Sequence, residues 1–298
     1  MPVYNWGMNT INTHIFSDES AEVDLERRFG GIARLYGAPA LARFRATHVC
    51  VIGVGGVGSW IVEALARSAI GQLTLIDLDN VAESNINRQI QALSSTIGQA
   101  KIGALAERIA LINPSCKVNL VEDFIEPGNL DQMIAGRGYD YVIDAIDSVK
   151  SKAALIAYCR DHALPLITIG SAGGQVDPTR IDIRDLSKTE QEPLLKMVRK
   201  RLRSQYGFPR SLKTKFNVDA VFSMEPLTFP GEGDACDLDA GPAGVTGLNC
   251  AGFGSSMVVT ATFGMVAAGH LLRKLAAAAN GEPALPSEAV QAVAAALS

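Results

Sequence analysis

The sequence predicts a protein of the α/β class, with a mainly parallel sheet covered by helices on both faces. Between His48 and Gly170, short apolar runs alternate with segments of helical periodicity, and the first run enters a glycine-rich turn. The predicted strands cover residues 48–54, 73–76, 118–121, 141–143 and 166–169. The predicted helices cover residues 57–68, 99–112 and 152–162.

The composition favours a folded chain with a sizeable core, because 48% of the 298 residues are hydrophobic and 19% are charged. A net charge of −4 argues against a generic polyanion binder, so any nucleic-acid surface must be a local basic patch. The five cysteines form no CxxC pair and the four histidines lack ligand spacing, which disfavours a zinc site. The first residues lack signal-peptide character, so we expect a cytoplasmic, reducing location.

Four regions are expected along the chain: a polar leader (1–23), an α/β core with N-terminal helices (24–170), a C-terminal part that completes the sheet (171–275) and an Ala-rich tail (276–298). Within the core, residues 24–44 are predicted as helix, turn and helix, with the break at Gly30-Gly31.

The C-terminal part is predicted to extend the sheet with further α/β elements. These are strands at 181–183 and 218–222, a basic helix at 191–205 and a loop or lid at 230–250. The apolar stretch 252–272 is long enough to cross a membrane, but its many small residues favour a helix buried in a protein core.

The turn after the first predicted strand reads GVGGVG, with glycines at Gly53, Gly55, Gly56 and Gly58 that satisfy the GxGxxG pattern. Glycine lets the backbone approach a phosphate, and the following helix presents free N–H groups, so we predict a Rossmann-like nucleotide site. Asp77 follows Gly58 by 19 residues, at the end of the second strand, where a carboxylate accepts ribose hydroxyls. These features fit NAD as well as ATP.

The residues after Asp77 favour ATP. A triphosphate carries more negative charge than the diphosphate of NAD and needs Arg, Lys or a metal ion. Arg88 lies in a loop with Asn85 and Asn87, and Lys101 lies just inside the next predicted helix. Each cation alone could be an ordinary surface residue, but together they predict a triphosphate site.

Asp147 follows the fourth predicted strand, which ends in Asp144. Ligands of open α/β sheets lie beyond the carboxyl ends of the strands, so Asp147 can face the glycine-rich turn. A carboxylate beside a triphosphate suits Mg²⁺. The alternative is that Asp147 or Ser148 caps the helix that follows, and position alone does not decide between the two.

The motifs GVGGVG, LIDLDNV, NINRQ, GQAK, INP and VIDAIDS, in this order, resemble the ubiquitin-activating enzyme superfamily, which includes the molybdopterin and thiamine adenylyltransferases. The flanking sequences RRFGGIARLYG, SAGGQVDPT, VFSMEPL and GFGSSMVVTATFG narrow the resemblance to the dehydratases of threonylcarbamoyladenosine in tRNA. This resemblance extends from about Arg27 to Leu272.

The resemblance implies a homodimer that binds ATP and Mg²⁺. It implies that Asp77, Asp79 and Asn85 bind near the ribose and adenine, and that Arg88 and Lys101 contact the triphosphate.

It further implies that Asp147 holds the metal. An arginine of the N-terminal helix, Arg28 or Arg34, would act across the dimer. No CxxC pair of the kind that binds zinc in many relatives is present.

The implied substrate is N6-threonylcarbamoyladenosine at position 37 of ANN-decoding tRNAs. Its carboxylate would attack the α-phosphate of ATP, and the carbamoyl group would then close on the activated carbonyl and release AMP. The alternatives are an adenylyltransferase for the C-terminal Gly-Gly of a ubiquitin-like sulfur carrier, and a nucleotide-sensing scaffold without catalysis. Cys236 and Cys250 are expected to be structural thiols, although a persulfide relay from a cysteine desulfurase partner is conceivable.

Residues 188–215 hold nine of the 27 Lys and Arg, opposed only by Glu190 and Glu192. Charge alone fits either a phosphate-binding patch or a solvated helix face, and the resemblance favours tRNA. Tyr206 and Phe208 are candidates to stack on a base. The nine cations are Lys188, Lys196, Arg199, Lys200, Arg201, Arg203, Arg210, Lys213 and Lys215.

Overall fold

In a computed structural model, residues 23–228 and 253–282 are described. The strands in this part are β1 (His48–Ile52), β2 (Gln72–Ile76), β3 (Lys117–Val121), β4 (Tyr141–Asp144), β5 (Leu166–Ile169), β6 (Ile181–Asp185) and β7 (Asp219–Ser223). The α-helices are α1 (Leu25–Tyr36), α2 (Ala38–Ala46), α3 (Gly58–Arg67), α4 (Lys101–Ile112), α5 (Leu130–Ile134), α6 (Val149–Asp161), α7 (Pro193–Gln205) and α8 (Met257–Asn280). The 230–250 loop, with Cys236 and Cys250, lies outside the described residues, as do nearly all of the leader and most of the tail.

The seven strands form one sheet in the order β3-β2-β1-β4-β5-β7-β6. Every neighbouring pair is parallel except β6 and β7, which are antiparallel. The carboxyl ends of β2, β1, β4 and β5 therefore lie side by side along one edge. The predicted α/β class, with a mainly parallel sheet extended by C-terminal strands, is confirmed.

Helices cover both faces of the sheet because alternate strand residues point to opposite sides. Val49 and Val51 of β1 pack in a core with residues of α2, α3, α4 and α8. Cys50 and Ile52 of the same strand pack in a second core with residues of α5, α6 and α7. Both faces of the central strand are thus buried.

The N-terminal helices break at Gly37 and not at Gly30-Gly31, so that prediction is wrong. Helix α1 runs through both glycines, which cost only about 1 kcal/mol each relative to alanine inside a helix. Gly37 adopts φ +95°, which favours glycine, and its N–H donates to Ala33 at the end of α1. The second helix, α2, then starts with Pro39 in its first turn.

The apolar stretch 252–272 contributes to α8, a helix of 24 residues that is buried in the protein core as predicted and packs on α2 and α3. Gly264 allows this close approach, because a Cβ there would lie 2.9 Å from the Val57 carbonyl oxygen and from Trp60 Cβ. Within the described part of the chain, no helix is both long and apolar enough to span a membrane.

An ion cluster fastens α8 to β7. The Asp219 carboxylate accepts a hydrogen bond from His270 Nε2 at 2.9 Å and another from the Lys274 ammonium. Burial alone would raise the pKa of Asp219, but these hydrogen bonds and the positive charge of Lys274 lower it to about 2.

Candidate active site

A cavity of about 950 Å³ opens at the carboxyl ends of β1, β2, β4 and β5. This is the edge where open α/β sheets bind ligands, and the volume lies within the usual range of about 300–1,000 Å³ for such sites. The structure brings every sequence-predicted site residue of the ATP and metal sites to its wall: Gly53, Gly55, Gly56, Gly58, Asp77, Asp79, Asn85, Arg88, Lys101 and Asp147.

The glycine-rich turn between β1 and α3 requires glycine at two of its positions. Gly53 adopts φ +81°, and a Cβ there would lie 2.9 Å from the carbonyl oxygen of Ala145. A Cβ on Gly58 would lie 1.8 Å from the Gly53 carbonyl oxygen, which no side chain can tolerate. Helix α3 begins here without a side-chain cap, and the N–H groups of Ser59, Trp60 and Ile61 already donate to backbone carbonyls. The positive end of the helix dipole still favours an anion at this position.

Asp77, directly after β2, holds this turn in place through two hydrogen bonds. One carboxylate oxygen accepts from the Val54 N–H at 2.8 Å, and the other accepts from the Asp79 N–H at 2.9 Å. Asp77 still lines the cavity, and each carboxylate oxygen can accept a second hydrogen bond. The bracing contact was not predicted from the sequence.

The loop after β2 carries Arg88 across the glycine-rich turn, where a Cβ on Gly56 would lie 3.4 Å from Arg88 Cδ. The guanidinium donates to the Ser84 carbonyl at 2.5 Å and to the Asn87 side chain at 3.0 Å. The Arg88 carbonyl accepts from Trp60 Nε1 at 2.9 Å, which ties the loop to α3.

The second predicted cation, Lys101, begins α4 and is nearly buried. Its ammonium lies 2.7 Å from a carboxylate oxygen of Asp79, whose side chain is 55% exposed. Asn85 is also buried, and its side chain accepts from the Ala82 N–H at 3.0 Å. The geometry therefore places one guanidinium and one ammonium against the same cavity.

Ser148, and not Asp147, is the N-cap of α6, because its hydroxyl accepts from the Ser151 N–H at 3.4 Å. Asp147 has an exposed side chain at the cavity wall. Mg²⁺ is usually bound through one or two carboxylates together with substrate phosphates, so a single carboxylate beside two cations fits this ion. In the described residues, no group of three or more His, Cys, Asp or Glu could hold a metal by itself.

Beneath the cavity lies a polar network that the sequence did not predict. Lys152 of α6 and Asp144 of β4 have no exposed side-chain area, and their charged groups lie 2.9 Å apart. The Lys152 ammonium also donates to the Asp144 carbonyl and to the Thr168 hydroxyl, both at 3.1 Å. Thr168 donates to Asp144 at 2.7 Å, so the network joins β4 to β5.

A second feature missed from the sequence is a pair of buried amides under the glycine-rich turn. Gln91 donates to the Val54 carbonyl and to the Gln89 side chain, each at 3.0 Å. Gln89 lines the cavity. It belongs to the NINRQ motif, and its place directly after Arg88 was a signal that could have identified it.

The basic segment 188–215 contains both partly buried and exposed cations. The Arg203 guanidinium lies 5.1 Å from the ring centre of Phe216, and Arg199 donates to the Thr189 hydroxyl. Burial lowers the pKa of Arg199. The cations with exposed side chains are Lys196, Lys200, Arg210, Lys213 and Lys215.

Phe208 cannot stack on a base as predicted, because its side chain is 2% exposed. Its ring packs edge-on against Phe216, and the Arg160 guanidinium covers it at 4.1 Å. Tyr206 is partly buried against the same core. The local basic sequence gave no sign of this packing.

Of the two N-terminal arginines, Arg28 is used within its own chain. Its guanidinium donates to the carbonyls of Leu111 and Ile112 at the end of α4, at 3.0 and 2.8 Å. The Arg34 side chain is exposed, and its guanidinium forms no hydrogen bond or ion pair within the described residues.

The described cysteines lie in surroundings that disfavour a thiolate. Burial raises the pKa of the Cys159 thiol to about 12 and that of Cys116 to about 11. Burial also raises the pKa of Cys50, which is fully buried in β1. None of the three is poised as a nucleophile at neutral pH.

Comparison with known proteins places this architecture in a family. The ThiF family profile matches residues 30–293. A tRNA threonylcarbamoyladenosine dehydratase of Haemophilus influenzae is 56% identical over 84% of this chain and 94% of its own length. The crystal structure of the tRNA N6-threonylcarbamoyladenosine dehydratase of E. coli in complex with ATP has a TM-score of 0.77 at 50% identity, covering 87% of this chain and 97% of that one.

A second crystal structure of the E. coli enzyme, in complex with AMP, has a TM-score of 0.76 at 51% identity, over 86% of this chain and 96% of that one. The chain belongs to the ThiF family and, within it, to the tRNA threonylcarbamoyladenosine dehydratases.

Proposed function

We propose that this protein catalyses the ATP-dependent dehydration of N6-threonylcarbamoyladenosine at position 37 of tRNA to its cyclic form, through a carboxyl-adenylate. The observation that carries the proposal is the single cavity that joins a glycine-rich turn, two cations and an exposed carboxylate. The named relatives are dehydratases of this nucleoside, and the E. coli structures hold ATP and AMP.

In this proposal the triphosphate lies against the first turn of α3, with Arg88 and Lys101 contacting its oxygens. Asp77, Asp79 and Asn85 lie toward the ribose and adenine. Lys101 leaves Asp79, at least in part, to reach a phosphate, and the negative charge of ATP compensates for the lost ion pair.

Asp147 would hold Mg²⁺ together with phosphate oxygens. When bound, the ion would neutralise the negative charge that develops on the phosphates during adenylation. Ser148, and not Asp147, caps α6, and the Asp147 side chain is exposed at the cavity wall, which supports this role.

A carboxylate is a poor electrophile because its leaving group would be oxide, and adenylation replaces oxide with AMP. An oxygen of the threonine carboxylate attacks the α-phosphorus, and the bond to pyrophosphate breaks. A nitrogen of the carbamoyl group then attacks the activated carbonyl, loses its proton, and releases AMP. The second step is intramolecular, so positioning by the cavity supplies much of its rate.

The exposed cations of residues 188–215 are proposed to bind tRNA phosphates, and the enzyme would work in the cytoplasm, where its substrate is found. A homodimer is also proposed. Arg34 is then the better candidate to act across it, because Arg28 already holds the end of α4 in its own chain.

The test is to incubate the protein with ATP, Mg²⁺ and tRNA that carries the modified nucleoside, then digest the tRNA and weigh its nucleosides. We expect that nucleoside to lose the mass of one water, with one AMP formed for each. Arg88→Ala and Asp147→Ala should both lose this activity while keeping the fold by circular dichroism. Full activity in either variant would contradict the assignment of these residues to the active site. If the protein binds ATP but leaves the nucleoside unchanged, the result would favour the alternative function, an adenylyltransferase for the C-terminal Gly-Gly of a sulfur carrier protein.

A further inference from the structure

We infer that the β5 side of the cavity binds the base of the modified adenosine, and that the ring of Phe253 is the surface on which this base stacks. The inference rests on the proposed function and adds to it the position of the second ligand. Phe253 belongs to the flanking sequence GFGSSMVVTATFG, but no role in a site was predicted for it.

The cavity extends beyond the residues assigned to ATP. Those residues lie at the ends of β1, β2 and β4 and on the loop that joins β2 to α4. β5 is the second strand from β1 in the sheet, so its end lies about 10 Å away at a strand spacing of about 4.8 Å. The cavity continues to that end and is lined there by Ile169, residues 170–173, Leu194 and residues 253–255.

The two sides of the cavity differ in charge. The ATP side is lined by charged residues, among them Arg88, Lys101 and Asp147. The described lining of the β5 side contains apolar, glycine and serine residues and no charged side chain. Such a wall does not suit a phosphate, but it suits a neutral planar base.

Glu192 lies next to this wall, and its carboxylate binds the backbone of the wall instead of lining the cavity. Glu192 is buried, and its oxygens accept from the N–H groups of Ser171 at 3.0 Å, Leu194 at 3.1 Å and Leu195. These bonds cap α7 and fix the turn after β5, so Glu192 shapes the wall without adding a charge to the cavity.

Phe253 is held at the wall by glycine geometry. Gly174 adopts φ +73°, and a Cβ there would lie 2.9 Å from Phe253 Cδ1. The Gly174 N–H donates to the Gly254 carbonyl at 2.9 Å, and the Thr228 N–H donates to the Gly174 carbonyl at 2.7 Å. A ring fixed in this way can stack on a base with little loss of side-chain freedom.

The segment that carries Phe253 also reaches the ATP side. Asn87 donates to the Ser255 carbonyl at 2.9 Å, which links the segment to the loop of Arg88. A base stacked on Phe253 therefore lies next to the triphosphate, where its threonylcarbamoyl arm can bring the carboxylate to the α-phosphate.

The exposed cations of α7 are placed to hold the flanking tRNA backbone. Leu194, in the first turn of α7, lines the cavity, and the exposed Lys196 and Lys200 follow on the same helix. At a rise of 1.5 Å per residue, Lys200 lies about 9 Å along the helix from Leu194. Neighbouring phosphates can bind there while the target base is turned out of its loop into the cavity.

The test compares two phenylalanines on opposite sides of the cavity. Phe253→Leu keeps an apolar side chain but removes the ring, and Phe253→Tyr keeps the ring. Phe124→Leu is the matched control, because Phe124 lines the cavity from the loop after β3. For each variant, equilibrium binding of modified tRNA and of ATP is measured separately, and urea unfolding checks the fold.

We expect Phe253→Leu to weaken binding of the modified tRNA by about tenfold, since leucine offers no aromatic ring on which the base can stack. Its ATP affinity should stay within about twofold of the wild-type value, and Phe253→Tyr should resemble the wild type in both. Phe124→Leu changes the opposite wall of the cavity, so it should leave the tRNA affinity unchanged.

Equal loss of ATP and tRNA binding in Phe253→Leu, or tRNA binding as tight as that of the wild type, would overturn the inference. Turnover is measured on the same samples. If the wild-type protein binds modified tRNA through Phe253 but does not convert it, the proposed dehydration is refuted, while this binding site is still supported.

Discussion

Replacing Lys152 with methionine tests the buried ion pair beneath the cavity. The Lys152 ammonium contacts the Asp144 carboxylate at 2.9 Å, and it also contacts the Asp144 carbonyl and the Thr168 hydroxyl at 3.1 Å. Methionine keeps most of the length and the apolar stem of lysine. It donates no hydrogen bond, so the Asp144 carboxylate would remain buried without a counter-charge.

The expected cost is about 3–5 kcal/mol of unfolding free energy, the usual result of removing one partner from a buried ion pair. This is a large part of a total stability of about 5–15 kcal/mol. The double variant Asp144→Asn/Lys152→Met removes both charges, so it should be less destabilised than the sum of the two single variants. Urea unfolding, followed by circular dichroism, gives all four free energies.

Lys150→Met is the control, because Lys150 lies on the same helix with an exposed side chain and should change stability by less than about 0.5 kcal/mol. A cost below about 1 kcal/mol for Lys152→Met would refute the reasoning. Strict additivity in the double variant would also refute it, since the two side chains would then contribute independently.

Three further predictions concern α8, the glycine-rich turn and the triphosphate contacts. The pKa of Asp219 falls from 3.8 to about 2 on folding, so its stabilisation is complete above about pH 4 and is lost as the pH falls toward 2. Asp219→Asn should therefore cost about 2 kcal/mol at pH 7 and flatten the acid-unfolding curve between pH 4 and 2. Gly58→Ala would place a Cβ 1.8 Å from the Gly53 carbonyl oxygen, and calorimetry should show at least about tenfold weaker ATP binding. Lys101→Met should weaken ATP binding by about tenfold or more. The same change should lower the unfolding free energy by less than about 1 kcal/mol, because the Asp79 side chain that pairs with Lys101 is 55% exposed. A larger loss of stability would show that this lysine is mainly structural.

The predicted site residues that the structure brings together are those whose place depends on local pattern. Gly53 and Gly58 stand out because a strand must turn directly into a helix there. Asp77 and Asp147 stand at or just beyond the ends of strands, and all parallel strands of one sheet end at the same edge. Identifying the strands was therefore enough to bring these residues together.

The features that were missed depend on contacts between distant parts of the chain. Lys152 reads as a solvent-facing helix residue, and only the packing of α6 on β4 and β5 shows that it is fully buried. Phe208 reads as exposed within a basic segment, but the ring of Phe216 and the guanidinium of Arg160 enclose it. Gly30-Gly31 is a strong local break signal, but α1 continues through it, with the neighbouring Phe29 buried against α2.

The buried ion pair has a consequence for the reaction, because it lies under the boundary between the two sides of the cavity. The charged side is built on β1, β2 and β4, and the uncharged side on β5 and the segment before α8. The Asp144–Lys152–Thr168 network joins β4 to β5 directly below that boundary. An apolar replacement of similar volume is often as stable as a buried ion pair, so stability alone does not account for one. Directional hydrogen bonds fix the relative position of two strand ends more tightly than apolar packing does. Adenylation requires the substrate carboxylate and the α-phosphate to be held at a set distance, so a network that fixes β4 against β5 serves the reaction.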